Sequence, residues 1–159
     1  MHYPVEVVEF PTTRVAAVEY QGPPQHELRA THQLIKWRRE HGISPDRADT
    51  YGVHYNDPYQ TRPRDYRMDI CVTYDGDVYT NPHGVVAKLI PGSLCARTRH
   101  LGSRGYMPEA DYLHNEWLPG SAYELNDFPI FFHYINVGPD ITVEEMVTDL
   151  YLPVRQRQT

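Results

Sequence analysis

Residues 4–10 (PVEVVEF) and 14–20 (RVAAVEY) are β-branched runs, and they predict two strands joined by a short turn at Pro11-Thr12-Thr13. Gly22-Pro23-Pro24 stops the second strand. From Gln25 to His41 the apolar positions Leu28, Leu34, Ile35 and Trp37 have helical spacing, and Gly42 closes the segment as a C-terminal cap would. A loop rich in Ser, Pro and Asp follows. TYGVHY at 50–55 then predicts a strand, Asn56-Asp57-Pro58 a turn, and YRMDICVTY at 66–74 another strand. The order is strand, strand, helix, strand, strand.

After Asp75-Gly76 the same order starts again. An offset of 80 without gaps pairs Val5 with Val85, Pro11 with Pro91, Ala16 with Ala96, Gly22 with Gly102, Ala30 with Ala110, Trp37 with Trp117, Asn56 with Asn136, and Asp69 with Asp149. These eight identities fall among 159 − 80 = 79 aligned positions, against about five from ordinary composition. Their places carry the argument: the two tryptophans match near helix ends, and the glycine, proline and asparagine matches sit at element boundaries. The second half therefore predicts strands at 85–90 and 94–100, a helix at 107–118, a loop at 119–129 and strands at 130–136 and 146–152. The fold class is α+β: a single domain over 1–159 made of two pseudo-repeats, about 1–79 and 80–159. Tandem strand-strand-helix-strand-strand modules would form antiparallel sheets with helices on one side and a central ligand cleft.

Charge narrows the function. Fifteen Lys+Arg against 21 Asp+Glu leave −6, with lysine only at 36 and 88. Phosphate-backbone binding needs many cations, so direct nucleic-acid binding is excluded as the main task. The opening MHYPVEVVEF is patterned as a strand rather than a leader, and the longest apolar run is Val15–Val18. No membrane segment is expected, and the location reads as cytoplasmic. Cys71 and Cys95 lack CxxC spacing and read as small buried hydrophobes. Thirteen tyrosines and 14 prolines suit a ligand cleft and suit an ordinary β-rich core equally; composition leaves both open.

Candidate chemistry is sparse. His26-Glu27 is followed by His32 rather than by a histidine at 30, and six residues at about 100° each put His32 on another helical face. No His or Cys group has zinc-ligand spacing, so neither metal nor cofactor is expected. Gly102-Ser103-Arg104-Gly105 lacks the features of a phosphate loop. Cys95 and His100 lie about 16 Å apart along one strand and cannot pair unless it bends back. Asp69 and Asp149 occupy equivalent half-buried strand positions, where a structural pairing, with Arg67, Arg97 or Arg99 as candidate partners, is favoured over catalysis. Glu116 and Glu124 read as solvated.

RVAAVEYQGPP, LIKW, YGVHYNDP, YRMDICV, KLIPGSLCARTRHLG, EWLPGSAYELNDFPIFFHY and VTDLYLPV, in this order over nearly the whole chain, resemble the gyrase-inhibitor-like (GyrI-like) family. That family is similar to the effector-binding domains of AraC-type and multidrug-responsive transcription regulators. The resemblance implies a central aromatic pocket for small hydrophobic, often cationic, molecules. The family pattern Pro-x-Phe-Glu-x-Tyr meets Pro129, Ile130, Phe131, Phe132, His133 and Tyr134 here, so Phe132 stands where the ligand-pairing glutamate is expected. A ring face attracts a cation by only about 0.5 to 2 kcal/mol, so a more neutral aromatic ligand is expected.

If the family's pocket face carries over, Phe132 and Tyr134 line it, with Gly52 and His54 at the equivalent positions 80 residues earlier. Tyr151 matches an aromatic that lines the pocket in relatives. Tyr112 and Trp117, on the second helix, are open between core and ligand contact. The expected function is binding of a small hydrophobic or aromatic molecule, free-standing or as part of a regulator whose DNA-binding domain lies elsewhere in a longer chain. No catalytic residue is assigned. Two alternatives follow from the resemblance. One is hydrolysis of electrophilic genotoxic compounds, for which His54, Asp69, Asp149 or Glu116 would have to stand in for the missing glutamate. The other is inhibition of DNA gyrase as a protein.

Overall fold

The computed structural model describes residues 2–158. In chain order the elements are β1 (Glu6–Phe10), β2 (Thr13–Gln21), α1 (Leu28–Glu40), β3 (Thr50–His54), β4 (Arg67–Thr73), β5 (Val85–Ile90), β6 (Ser93–Leu101), α2 (Pro108–Tyr112), β7 (Tyr123–Leu125), β8 (Phe131–Tyr134) and β9 (Val147–Gln156). An offset of 80 carries β2 onto β6 residue for residue, and carries the 3-10 turn Pro63–Asp65 onto Val143–Glu145. The α+β class and the duplicated modules are thus visible in the elements themselves.

The chain divides into two units, Thr13–Ile90 and the residues through Thr12 joined by those from Pro91 onward. In the first the strand order is β3-β4-β2-β5, all antiparallel. In the second it is β1-β6-β9-β8, also antiparallel, with β7 pairing the far end of β9. The units do not coincide with the sequence repeats, because the first strand of each repeat pairs with the second strand of the other. The short turn expected at Pro11-Thr12-Thr13 is therefore not a hairpin. A two-residue hairpin of the favoured type needs positive φ at its centre, and none of residues 11, 12, 91 and 92 has it. Gly92 is required for close approach instead: a Cβ there would lie 2.8 Å from Thr12 Oγ1, which accepts the Gly92 N–H at 3.0 Å.

α1 buries Ala30, Leu34 and Trp37 against β2, β4 and β5. Its end is a Schellman cap, with Gly42 at φ 66° and N–H bonds from Gly42 to Arg39 O and from Ile43 to Arg38 O. The matching helix is shorter: α2 has one regular turn and continues as a π-type turn, Leu113–Trp117. Its core partners include Ala96, Phe132, Leu150 and Leu152, each removed from water. Phe132, Leu150 and Leu152 contribute about 1.5–3 kcal/mol apiece. The expected loop 119–129 contains β7, which three alternating residues between turn formers did not announce. β9 runs on to Gln156 because Tyr123–Leu125 pairs with residues 154–156.

Candidate functional site

In the unit that holds α2, register places Phe132 opposite Leu150 and Tyr134 opposite Thr148. Phe132 and Tyr134 therefore share the face that α2 covers. Phe132, 8% exposed, packs with Leu113 and Leu150. Tyr134 is half-buried, and the Arg104 guanidinium lies 4.9 Å from its ring centroid. Arg104 is held by Thr148 Oγ1 at 2.6 Å and by the Asn136 and Val147 carbonyls at 3.1 and 2.8 Å. Burial pulls its pKa down, with Tyr134 opposing, and arginine remains charged in proteins.

The two α2-side aromatics are engaged within the same unit. The Tyr112 hydroxyl lies 3.0 Å from His2 Nδ1, and its ring meets Tyr3 edge-on. Trp117 stacks on Tyr123 at 5.9 Å. Beside them His100 and Glu109 form a buried pair at 2.8 Å, with the second His100 nitrogen 2.7 Å from Ser103 O.

Tyr151 projects from the opposite face. Its Cα partner is Phe131, on which it stacks at 5.1 Å, and Phe10 meets both rings edge-on. The structure does not bring Tyr151 together with Phe132 and Tyr134. On the Tyr151 face Arg99 donates twice to Asp149, at 2.7 and 3.1 Å. That bidentate geometry is the structural pairing expected of this carboxylate.

Asp69 is paired differently. It accepts from Tyr55 at 2.6 Å and from Lys88 at 2.8 Å, and Lys88 also donates to Glu19 at 2.9 Å. Glu19 is the Cα partner of Asp69, so the lysine neutralises two carboxylates that would repel across the ladder. Burial opposes the Lys88 charge, but the bonds from Asp69 and Glu19 outweigh it and raise the pKa. Burial and the Asp69 contact push the Tyr55 phenol up to about 12. Arg67, an expected partner of Asp69, lies over the Tyr55 ring at 4.7 Å.

His54 lies on the α1 side of its sheet, with Nδ1 3.2 Å from the Tyr66 hydroxyl. That hydroxyl donates to Glu27 Oε2 at 2.9 Å. Burial holds His54 down to about 4. The same burial pushes both cysteine thiols up, Cys95 to about 12, so neither is poised as a nucleophile. Tyr66, Glu27, Arg104 and Lys88 escaped the sequence reading. All four stand in segments noticed for other reasons, and no spacing links any of them to its partner.

Two open concavities are present, the first beside the Phe10 ring that meets Tyr151. One, about 370 Å³, is lined by Glu9, Phe10, Pro11, Ser93 and Leu94; the other, about 300 Å³, includes Ile43, Arg47, Tyr74 and Asp75. Among the described residues no helix is long and apolar enough to cross a membrane, and no three His, Cys, Asp or Glu side chains gather as a metal-holding group.

The scaffold is antiparallel and repeats its elements, with aromatic side chains under each helix and the buried Asp69 and Asp149 paired with Lys88 and Arg99. The chain belongs to the family described as GyrI-like small molecule binding domain, whose model matches residues 3–155. It is 31% identical over 152 residues to the probable transcriptional regulator YgiV of Escherichia coli (strain K12), covering 94% of this chain and 95% of that protein. Its fold is similar to EcmrR in a DNA complex, with TM-score 0.75 and 15% identity. The match covers 98% of this chain and 58% of that one, so this chain spans little more than half of EcmrR; the separate EcmrR C-terminal domain is covered completely, at TM-score 0.73 and 16% identity. SAV2435 bound to tetraphenylphosphonium is similar at TM-score 0.56 and 13% identity, covering 98% of this chain and 94% of that one.

Proposed function

We propose that the chain binds small neutral aromatic molecules on its helix-covered faces, either as a free-standing binder or as the effector-binding part of a longer transcription regulator. One observation carries the choice of a neutral ligand: Arg104 is fixed over the Tyr134 ring, and the family resemblance, which sets Phe132 where a glutamate is expected, points the same way. A lipophilic cation there would meet the Arg104 guanidinium. Like charges about 7 Å apart at an effective dielectric of about 20 repel by about 2 kcal/mol, while a neutral ring loses nothing. Tyr134 and His54 are the proposed contacts in their respective units. Phe132 forms the floor under Tyr134, and Tyr112 and Trp117 support it. Tyr151 would serve only a ligand on the opposite face.

The regulator role is supported by the likeness to YgiV, a probable transcriptional regulator, and to EcmrR, seen in complex with DNA. A bound ligand would act on an attached domain only as far as it binds two conformations differently. The test is a thermal-shift titration with triphenylphosphine oxide, which is neutral, and tetraphenylphosphonium, which has similar rings and a positive charge. The neutral compound is expected to raise Tm with concentration, the cation to do so weakly, and Tyr134→Ala to abolish the shift. A preference for the cation, or no shift with either, overturns the reading.

A further inference from the structure

In the unit that holds α2, Tyr134, Thr148 and His100 form one row across the sheet, because Thr148 is the Cα partner of both Tyr134 and His100. Arg104 folds over that row, bonded to Thr148 Oγ1 and set against the Tyr134 ring. The turn that carries it begins at Gly102, whose N–H bonds Met146 O, but glycines flank Ser103-Arg104 on both sides and leave the backbone free to swing. His100 ties the turn down. Its Nε2 lies 2.7 Å from Ser103 O, and its Nδ1 lies 2.8 and 3.1 Å from the two oxygens of Glu109, in the first turn of α2. His100 is 9% exposed and Glu109 5%.

Proton counting fixes the state of the ring. A carbonyl oxygen only accepts, so Nε2 carries a hydrogen. A second proton must lie between Nδ1 and Glu109, since two lone pairs at hydrogen-bond distance would repel. Imidazole is the stronger base of the two, so this proton sits on Nδ1 and the pair is imidazolium and carboxylate. The other repeat carries the same donor. Eighty residues earlier, His100 matches Tyr20 and Ser103 matches Pro23, and the Tyr20 hydroxyl donates to Pro23 O at 2.5 Å. One position thus bonds the carbonyl three residues on in both repeats. The first repeat follows it with the stiff Pro23-Pro24, whereas the second has Ser103-Arg104 between glycines and adds the bond to Glu109.

We propose that His100, doubly protonated and paired with Glu109, is a positioning residue for Arg104: it pins the 102–105 turn so that the guanidinium stays over the Tyr134 ring and keeps cationic ligands off that face. The proposal rests on the binding function above and adds the residue pair that sets its charge preference.

The test uses the whole chain, ¹⁵N-labelled, at neutral pH. Long-range ¹H–¹⁵N correlation is expected to show both His100 nitrogens protonated in the wild type and only Nε2 protonated in the nearly isosteric Glu109→Gln. An unprotonated ring nitrogen in the wild type, or a doubly protonated ring in Glu109→Gln, overturns the proposal. The double variant His100→Phe/Glu109→Leu removes the clip without leaving a buried charge, so Tm is expected to hold. Its Arg104 Nε–H cross-peak, protected in the wild type by Thr148, is expected to disappear through exchange. The peak should return in His100→Tyr/Glu109→Leu, which restores only the donor to Ser103 O. The preference for triphenylphosphine oxide over tetraphenylphosphonium is expected to fall about tenfold in the first double variant and to recover in the second. A protected Arg104 peak or an unchanged preference in the first overturns the proposal. A wild type that binds neither probe overturns the binding function and the charge preference with it, while the Arg104 peak still decides whether His100 positions the turn.

Discussion

The two units share the turns of one scaffold and differ in what they hang on it. Position 54 in one is position 134 in the other, and the offset of 80 likewise pairs Tyr66 with Met146, Glu27 with Met107, and Pro24 with Arg104. A polar chain running from a carboxylate to an imidazole on one side is thus replaced on the other by a tyrosine, two methionines and a guanidinium. The parts that match are those that hold the backbone. Asn56 Oδ1 accepts from Arg67 N at 2.7 Å as Asn136 Oδ1 accepts from Val147 N at 2.9 Å. Gly22 N–H bonds Tyr66 O as Gly102 N–H bonds Met146 O, both glycines at positive φ. The turns match, where few residues work, and the side chains on the helix-covered faces do not.

The sharpest way to break the comparison is through the two buried aspartates. Lys88→Met would leave Asp69, whose side chain is 4% exposed, facing Glu19 with only Tyr55 as partner. A loss of about 3 kcal/mol is expected in urea unfolding. Arg99→Met should cost about 1 kcal/mol, because the Arg99 side chain is 56% exposed and solvent replaces part of the interaction. Equal losses would show that the two ion pairs are interchangeable.

The next effect is on pH dependence. The folded pKa of His54 is depressed below its ordinary 6.5 to about 4. Its contribution to stability is complete above pH 6.5 and declines as pH falls toward 4, because the unfolded chain takes the proton first. The loss is at most about 3 kcal/mol. Glu27, with a raised pKa, acts with the opposite sign and offsets part of it. His54→Gln should flatten the wild-type decline between pH 6.5 and 4 measured by thermal unfolding, whereas Tyr134→Gln should leave it.

The smallest effects sharpen the shared part. Asn136→Ala should cost about 2 kcal/mol and Asn56→Ala about 1 kcal/mol. Asn136 also donates to Glu145 O at 2.6 Å and helps hold Arg104, so it carries more bonds than its counterpart. Chemical denaturation of the two variants side by side checks the ranking.

The site was less legible than the scaffold, for a physical reason. The face that Tyr134 shares with Phe132 could be read because a strand alternates its side chains, and the matched position puts His54 on the helix side of the other sheet. Tyr151 was grouped with Phe132, yet a one-residue difference in facing strands decides which side of the sheet a ring takes, and that register is set by pairing with Phe131. The partner of Asp69 was sought among arginines near in sequence, whereas Lys88 reaches it because β5 joins the sheet beside β2.

The sequence by itself determined the main strands and helices, their matching order at an offset of 80, and the turn glycines and asparagines. These depend on local backbone preference and side-chain period, which a few neighbouring residues express. Only the tertiary structure decided that the leading strand of each repeat pairs with the other repeat, that β7 exists, and that Arg104 lies over Tyr134. It alone also linked Glu27 to His54 through Tyr66. Those arrangements join residues tens of positions apart, and no local pattern encodes which distant partner completes a ladder or receives a proton.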